Sequence, residues 1–202
     1  MATSRLHELS THGVSVWMDS LSREMLETGE LARLMEEDAV VGVTSNPTIF
    51  QKALAEGDWY DEQLQAVSRE IEDPTEIFIA LAQEDIRDAC DLMAPVWERT
   101  NGVDGFVSLE VDPRLAYDRV ATYDQAMRFH EEVDRKNLYV KIPGTEPGLG
   151  AIEDCIAKGR SINVTLIFSL DRYRAVVEAY LRGLERLVAA GAPPAGPRRG
   201  RR

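Results

Sequence analysis

The chain has almost no cysteine. Of its 202 residues only Cys90 and Cys155 carry thiols, far apart and outside any CxxC or histidine-rich spacing. That excludes a disulfide framework and a cysteine-based zinc site, and leaves two core thiols in a reducing compartment as the expectation. Long apolar runs are missing too. No stretch approaches the roughly 18 apolar residues of a membrane span, and the opening MATSRLHELSTHG lacks the apolar region of a signal peptide. A cytoplasmic location with no membrane partner is therefore expected. No GxGxxG or GxxxxGK[ST] follows an apolar run, which removes the simplest argument for a nucleotide-binding sheet. Positive charge is scarce: the formal net charge is -12. Such a field repels phosphate backbones, so nucleic acid is not an expected partner, and any phosphorylated ligand needs a local positive site. The three histidines, His7, His12 and His130, sit in polar surroundings at spacings that suit neither a metal cluster nor a triad. They are expected at the solvated surface, and no metal is assigned.

What is present is a 44% hydrophobic, 29% charged sequence, long enough for one domain with a sizeable core; two compact domains are not expected. Five short runs rich in Val, Ile and Leu read as strands covered on both sides: 14–19, 40–46, 105–111, 138–142 and 161–168. Helical patterns lie between them. After Asp73 the sequence Pro74-Thr75-Glu76 combines a cap with a proline at the first helical position, and Ile79, Ala82, Ile86, Ala89 and Met93 recur at helical spacing. A second helix is expected near Thr122, with Gln125 completing a capping box. A third carries Leu170, Tyr173, Val177, Tyr180, Leu184 and Leu187 on one side, with charged residues largely opposite. Strands alternating with helices imply right-handed crossovers and a parallel sheet, either a barrel or a doubly wound open sheet.

The polar residues favour the barrel. Asp19, Asn46, Glu110, Lys141 and Asn163 with Thr165 all fall at or near the ends of successive expected strands, where a (β/α) barrel builds its active site. Lys141 stands out, because it closes the run Leu138-Tyr139-Val140 and precedes the turn-forming Ile142-Pro143-Gly144-Thr145. Burial disfavours a charged lysine, and a neutral amine is a nucleophile suited to Schiff-base chemistry on a carbonyl. Each residue alone has a plainer reading. Lys141 can snorkel to solvent at a strand end, Asp19 can cap the next helix, Asn46 before Pro47 can start a turn, Glu110 can sit at a rim, and Asn163 can bond backbone.

Together the segments VWMDSL, GVTSNPTIF, FVSLEVDPRLAYD, VKIPGT and INVTLIFS resemble those of transaldolases, in the same order, over roughly residues 10 to 190. The resemblance implies a (β/α)8 TIM-barrel type fold and no cofactor. It also implies that Lys141 forms a Schiff base with a ketose phosphate and that Asp19 acts as general base and acid at the bond being cleaved. Glu110 with Thr165 would hold a water, while Asn46 and Asn163 would hydrogen-bond the substrate or adduct. The implied reaction moves a dihydroxyacetone unit from sedoheptulose 7-phosphate to glyceraldehyde 3-phosphate, giving erythrose 4-phosphate and fructose 6-phosphate in the pentose phosphate pathway. A fructose 6-phosphate aldolase, or a non-catalytic fragment, is the alternative.

The match is incomplete at its end. A complete barrel of this type has eight strands in about 250 residues, whereas about five or six β/α units are legible here, in residues 1–190. Residues 191–202, GAPPAGPRRGRR, have no apolar periodicity and are expected to be a disordered Pro/Gly/Arg-rich tail. The resemblance places a phosphate-binding arginine and a serine on later strands, and no position here matches them. Weak or no transfer activity, and self-association through exposed sheet edges, are therefore expected.

Overall fold

The computed structural model describes residues 4–55 and 57–191, so most of the expected tail lies outside the described residues. The chain divides into two compact units, Met1–Val107 and Ser108–Arg202.

The first unit contains α1 (Arg5–Thr11), β1 (Val16–Met18), α2 (Arg23–Glu27), α3 (Glu30–Glu37), β2 (Val40–Thr44), α4 (Pro47–Ala55), α5 (Asp61–Val67) and α6 (Pro74–Arg99). β1 and β2 run parallel, with Trp17 opposite Gly42 and Met18 opposite Val43. β3 (Phe106–Glu110) begins in this unit, where the Gly105 N–H donates to the Val41 carbonyl at 2.7 Å. Gly105 has φ +84, and a Cβ there would lie 2.3 Å from the Trp97 backbone nitrogen. Only glycine suits both demands. The α6 start matches the expectation. Asp73 caps it, accepting from Thr75 N at 2.7 Å and Glu76 N at 3.1 Å, and Pro74 takes the first helical position. All five periodic apolar residues, Ile79 to Met93, are buried along it.

The core of this unit is not purely apolar. The Arg23 Nε donates to Asp85 Oδ1 at 2.7 Å, and its Nη2 to Gln63 Oε1 at 2.7 Å. Tyr60 accepts from the Arg23 backbone N–H at 2.9 Å and donates to Asp85 Oδ2 at 2.6 Å. Asp85 is fully buried and Arg23 nearly so, and burial pushes the Tyr60 phenol up, which keeps it a donor. Two buried charges hold each other's desolvation cost in check only while both are present. Asp85→Ala should therefore lower unfolding free energy by about 3–5 kcal/mol in urea titrations followed by circular dichroism; a loss below about 1 kcal/mol would contradict the assignment.

The second unit holds the rest of β3, a short 3-10 turn (Pro113–Leu115), α7 (Arg119–Val133), β4 (Leu138–Pro143), α8 (Glu146–Ala157), β5 (Ile162–Thr165) and α9 (Leu170–Ala189). Its strands lie in the order β3-β4-β5, and β4 and β5 pair parallel, Val140 opposite Ile162 through Pro143 opposite Thr165. Within each unit sheet neighbours follow chain order, with no reversal of the kind a doubly wound sheet contains. That is the winding of barrel-type β/α units.

All five expected strands exist, each close to its expected span, but the outer two are short. β1 lacks Val14, Ser15 and Asp19, and β5 stops at Thr165 because Leu166 turns to φ +59, outside the pleated conformation. The expected capping box at Thr122 is not formed. α7 starts at Arg119 with Asp118 as cap, Thr122 is buried and donates to the Leu115 carbonyl at 2.8 Å, and the Gln125 side chain accepts from Asp112 N at 2.6 Å. In α9 the buried face is Val176, Ala179, Gly183 and Leu187, whereas Leu170, Tyr173 and Tyr180, expected on the apolar side, are exposed. The helix turns its small residues to α8, which permits close approach: a Cβ on Gly183 would meet the Ile156 Cβ at 2.7 Å.

Both thiols are buried and neither forms a disulfide, as expected. His130 is not at the surface. It is 8% exposed, its Nε2 donates to the Ser161 carbonyl at 3.1 Å, and burial, aided by Arg160, pulls its pKa from 6.5 down to about 4. An ordinary amphipathic pattern in α7 hides a histidine whose ring is as apolar as it is polar. Between pH 6.5 and about 4 the unfolded chain binds a proton that the folded chain refuses, so stability should be full above that window and fall on acidification. Relative to His130→Gln, the native chain should lose about 1–2 kcal/mol more between pH 7 and pH 5. Parallel urea titrations at the two pH values check this; identical slopes would contradict it.

Candidate active site

Alternation along a strand sends every second side chain to the same face. In β3 this groups Phe106, Ser108 and Glu110; in β4, Tyr139 and Lys141; in β5, Asn163 and Thr165. The opposite faces of β3 and β4 bury Val107, Leu109, Leu138, Val140 and Ile142. Parallel register then aligns the polar set: Lys141 stands opposite Asn163 and Pro143 opposite Thr165, while the Val111 N–H donates to the Lys141 carbonyl at 3.1 Å.

Lys141 and Glu110 meet at the ends of their strands. The Nζ lies 3.2 Å from Glu110 Oε2, and both side chains are 13% exposed. The lysine thus neither snorkels into solvent nor stands alone in an apolar pocket; it is held by a carboxylate, itself no open rim group. Asn163 donates through Nδ2 to Ser108 Oγ at 3.0 Å, linking β5 to β3 across the strand that carries the lysine. Its side chain is therefore committed to another side chain of the same polar face. Thr165 occupies the next position on that face, where its carbonyl accepts from Gly144 N at 2.8 Å. This hydrogen bond and the Thr145 cap of α8 hold the segment after Lys141 in place. Ser108 was not among the residues expected at the site. Its signal was its position two before Glu110 in FVSLE, which strand alternation places on the same face.

Asp19 and Asn46 belong to the first unit. Asp19 is exposed and immediately follows β1. It does not cap the next helix, since the Ser22 side chain takes that role on α2, accepting from Met25 N at 3.2 Å. The segment is anchored just beyond it by the fully buried Leu21 and by Arg23. Asn46 follows β2 by two residues, half-buried, with its carbonyl accepting from Phe50 N at 3.3 Å as α4 begins. Both residues stand at the carboxyl ends of strands, the position that the β/α reading requires.

Among the described residues no group of three or more His, Cys, Asp or Glu side chains is placed to hold a metal ion, and no helix is long and apolar enough to cross a membrane. What the cluster offers is an amine with a proton acceptor within reach, flanked by amide and hydroxyl groups that can hydrogen-bond an oxygen-rich ligand. The Asn163–Ser108 bond should be measurable as a coupling: in a cycle of Asn163→Ala, Ser108→Ala and the double variant, the interaction term is expected at about 0.5–1.5 kcal/mol. Strict additivity of the two losses would show that the bond is not made in solution.

Comparison with known proteins identifies a family for the chain. Residues 16–193 match the family described as Transaldolase/Fructose-6-phosphate aldolase. A transaldolase of Parafrankia sp. (strain EAN1pec) is 52% identical over 186 residues, which are 92% of this chain and 50% of that protein. Transaldolases of Mycobacterium ulcerans (strain Agy99) and Mycobacterium tuberculosis (strain ATCC 25618 / H37Rv) are each 50% identical over the same shares. The chain spans about half the length of the curated relatives it matches.

Proposed function

Because the chain belongs to the transaldolase/fructose-6-phosphate aldolase family, we propose that Lys141 forms a Schiff base with a ketose phosphate and that the site transfers a dihydroxyacetone unit between sugar phosphates. The observation that carries this reading is the pairing of Lys141 Nζ with Glu110 Oε2 at 3.2 Å on the polar face of β3 and β4.

The paired carboxylate can accept the ammonium proton, which frees the nitrogen lone pair to add to the substrate ketone. The carbinolamine then loses water to give a protonated imine. Cleavage of the adjacent carbon–carbon bond sends its electrons into that imine, and Asp19 takes the hydroxyl proton as an aldose phosphate departs. The three-carbon enamine remains attached to Lys141. An incoming aldehyde accepts the same carbon, Asp19 returns its proton to the new hydroxyl, and hydrolysis through a water held by Glu110 and Thr165 releases the new ketose. Asn46 and Asn163 serve as hydrogen-bonding groups for the hydroxyls of substrate and adduct. Sedoheptulose 7-phosphate and glyceraldehyde 3-phosphate are the proposed substrates, with fructose 6-phosphate and erythrose 4-phosphate as products, in the cytoplasm and the pentose phosphate pathway. Keeping the enamine from stray protonation until an acceptor arrives requires the site to limit water. The low exposure of Lys141 and Glu110 supports that requirement.

The test is reductive trapping. Incubation with fructose 6-phosphate and borohydride should leave a three-carbon or six-carbon adduct that peptide mass mapping assigns to Lys141, and Lys141→Met should abolish it. A folded chain that yields no adduct, or an adduct on another lysine, would overturn the reading. Release of dihydroxyacetone without added aldehyde would move the assignment to the aldolase branch of the same family.

A further inference from the structure

Asp19 has little to hold its side chain. Among the described residues its exposed carboxylate takes part in no hydrogen bond or ion pair, so its position is set by the backbone on either side. On one side is β1, where Met18 pairs opposite Val43. On the other, Leu21 is fully buried, Ser22 caps α2, and Arg23 is the first residue of that helix. Arg23 is firmly held. The Tyr60 hydroxyl accepts from its backbone N–H, and the Tyr60 ring lies with its centroid 4.8 Å from the guanidinium carbon. Asp85 accepts from Nε and Gln63 from Nη2. These partners are themselves tied, since Tyr60 donates to Asp85 and the Gln63 amide donates to Glu84. Glu84 and Asp85 stand on α6, whose Ile86, Ala89 and Met93 are fully buried.

A buried ion pair adds little net stability over apolar side chains of the same volume, because lost hydration offsets the attraction. Its bonds are directional, however, and here one of the bonded groups is the Arg23 main chain itself. An apolar residue at position 23 could fill the space, but it could not tie α2 to α5 and α6 through directed bonds. Resting on the acid–base role given to Asp19 above, we propose that Arg23 is a positioning residue for Asp19. The Tyr60, Asp85 and Gln63 contacts pin the far end of residues 19–22, so a carboxylate with no side-chain partner is still presented from a fixed main chain. The demand is a chemical one, since a misplacement of about 1 Å in a reacting group can lower a rate by about a hundredfold.

Reductive trapping separates placement from folding. With fructose 6-phosphate and borohydride, a six-carbon adduct on Lys141 marks imine formation, and a three-carbon adduct marks the cleavage that needs Asp19. Tyr60→Phe keeps the ring against Arg23 but removes the hydroxyl that joins the Arg23 N–H to Asp85. Gln63→Ala, at the half-buried rim of the cluster, is the second variant, for use where the first does not fold. In Tyr60→Phe the total adduct per folded chain should match the native chain while the three-carbon share falls at least about tenfold; in Gln63→Ala the share should fall in the same direction. Hydrogen exchange supplies a readout free of chemistry: in either variant the amides of residues 20–22 should speed up by a larger factor than those of β2. A cluster that only stabilises the fold would lower both adducts together and leave their ratio as in the native chain, which would overturn the proposal. So would unchanged exchange at residues 20–22, or a native chain that traps only the six-carbon adduct. A folded native chain with no adduct overturns the Schiff-base reading instead, and the exchange ratio then decides whether Arg23 sets this segment.

Discussion

The ion pair between Lys141 and Glu110 is the constraint on which the polar face of β3 to β5 and the proposed chemistry depend. A lysine and a glutamate, each with only 13% of its side chain exposed, face each other at a strand end, where each offsets part of the other's lost hydration. The pairing is a consequence of register. The Val111 N–H on the Lys141 carbonyl sets β4 against β3, alternation puts Glu110 and Lys141 on the same face, and the Lys141–Asn163 alignment places the amide of β5 beside them. A slip by one residue would turn the lysine to the side that buries Leu138, Val140 and Ile142. The contact that holds the lysine also sets a carboxylate oxygen 3.2 Å from its nitrogen, which is the geometry the proposed chemistry uses.

Much of this was legible in the sequence, because it is written in local patterns. Short apolar runs marked the strands, Asp73-Pro74 marked the start of the long helix, and Glu110, Lys141 and Asn163 marked the polar face shared by β3, β4 and β5. What escaped detection depends on distant partners. Arg23 and Asp85 lie 62 residues apart, and nothing near either one announces a buried pair. His130 looked like a surface residue because its neighbours in α7 are charged, yet the ring faces the Ser161 carbonyl. Thr122 and Gln125 have the spacing of a capping box, but the helix is capped by Asp118, four residues earlier, and both side chains are spent on the loop after β3.

α9 shows the limit of periodicity as a guide. Its large apolar residues suggested the buried side, but α8 approaches along the small ones, Ala179 and Gly183, where backbones can come close. The large residues are left facing outward beside an edge strand. Local pattern establishes that a helix is amphipathic; which apolar side meets a neighbour is decided by packing volume across the contact.

The central claim is that the nitrogen of Lys141 bonds to the carbonyl carbon of a three-carbon ketose unit. The most direct measurement is a carbon-13 spectrum of the chain with dihydroxyacetone labelled at its carbonyl carbon. The account predicts an imine or enamine resonance in the native chain that is absent from Lys141→Met. A signal that persists in that variant, or none from a folded native chain, would contradict it.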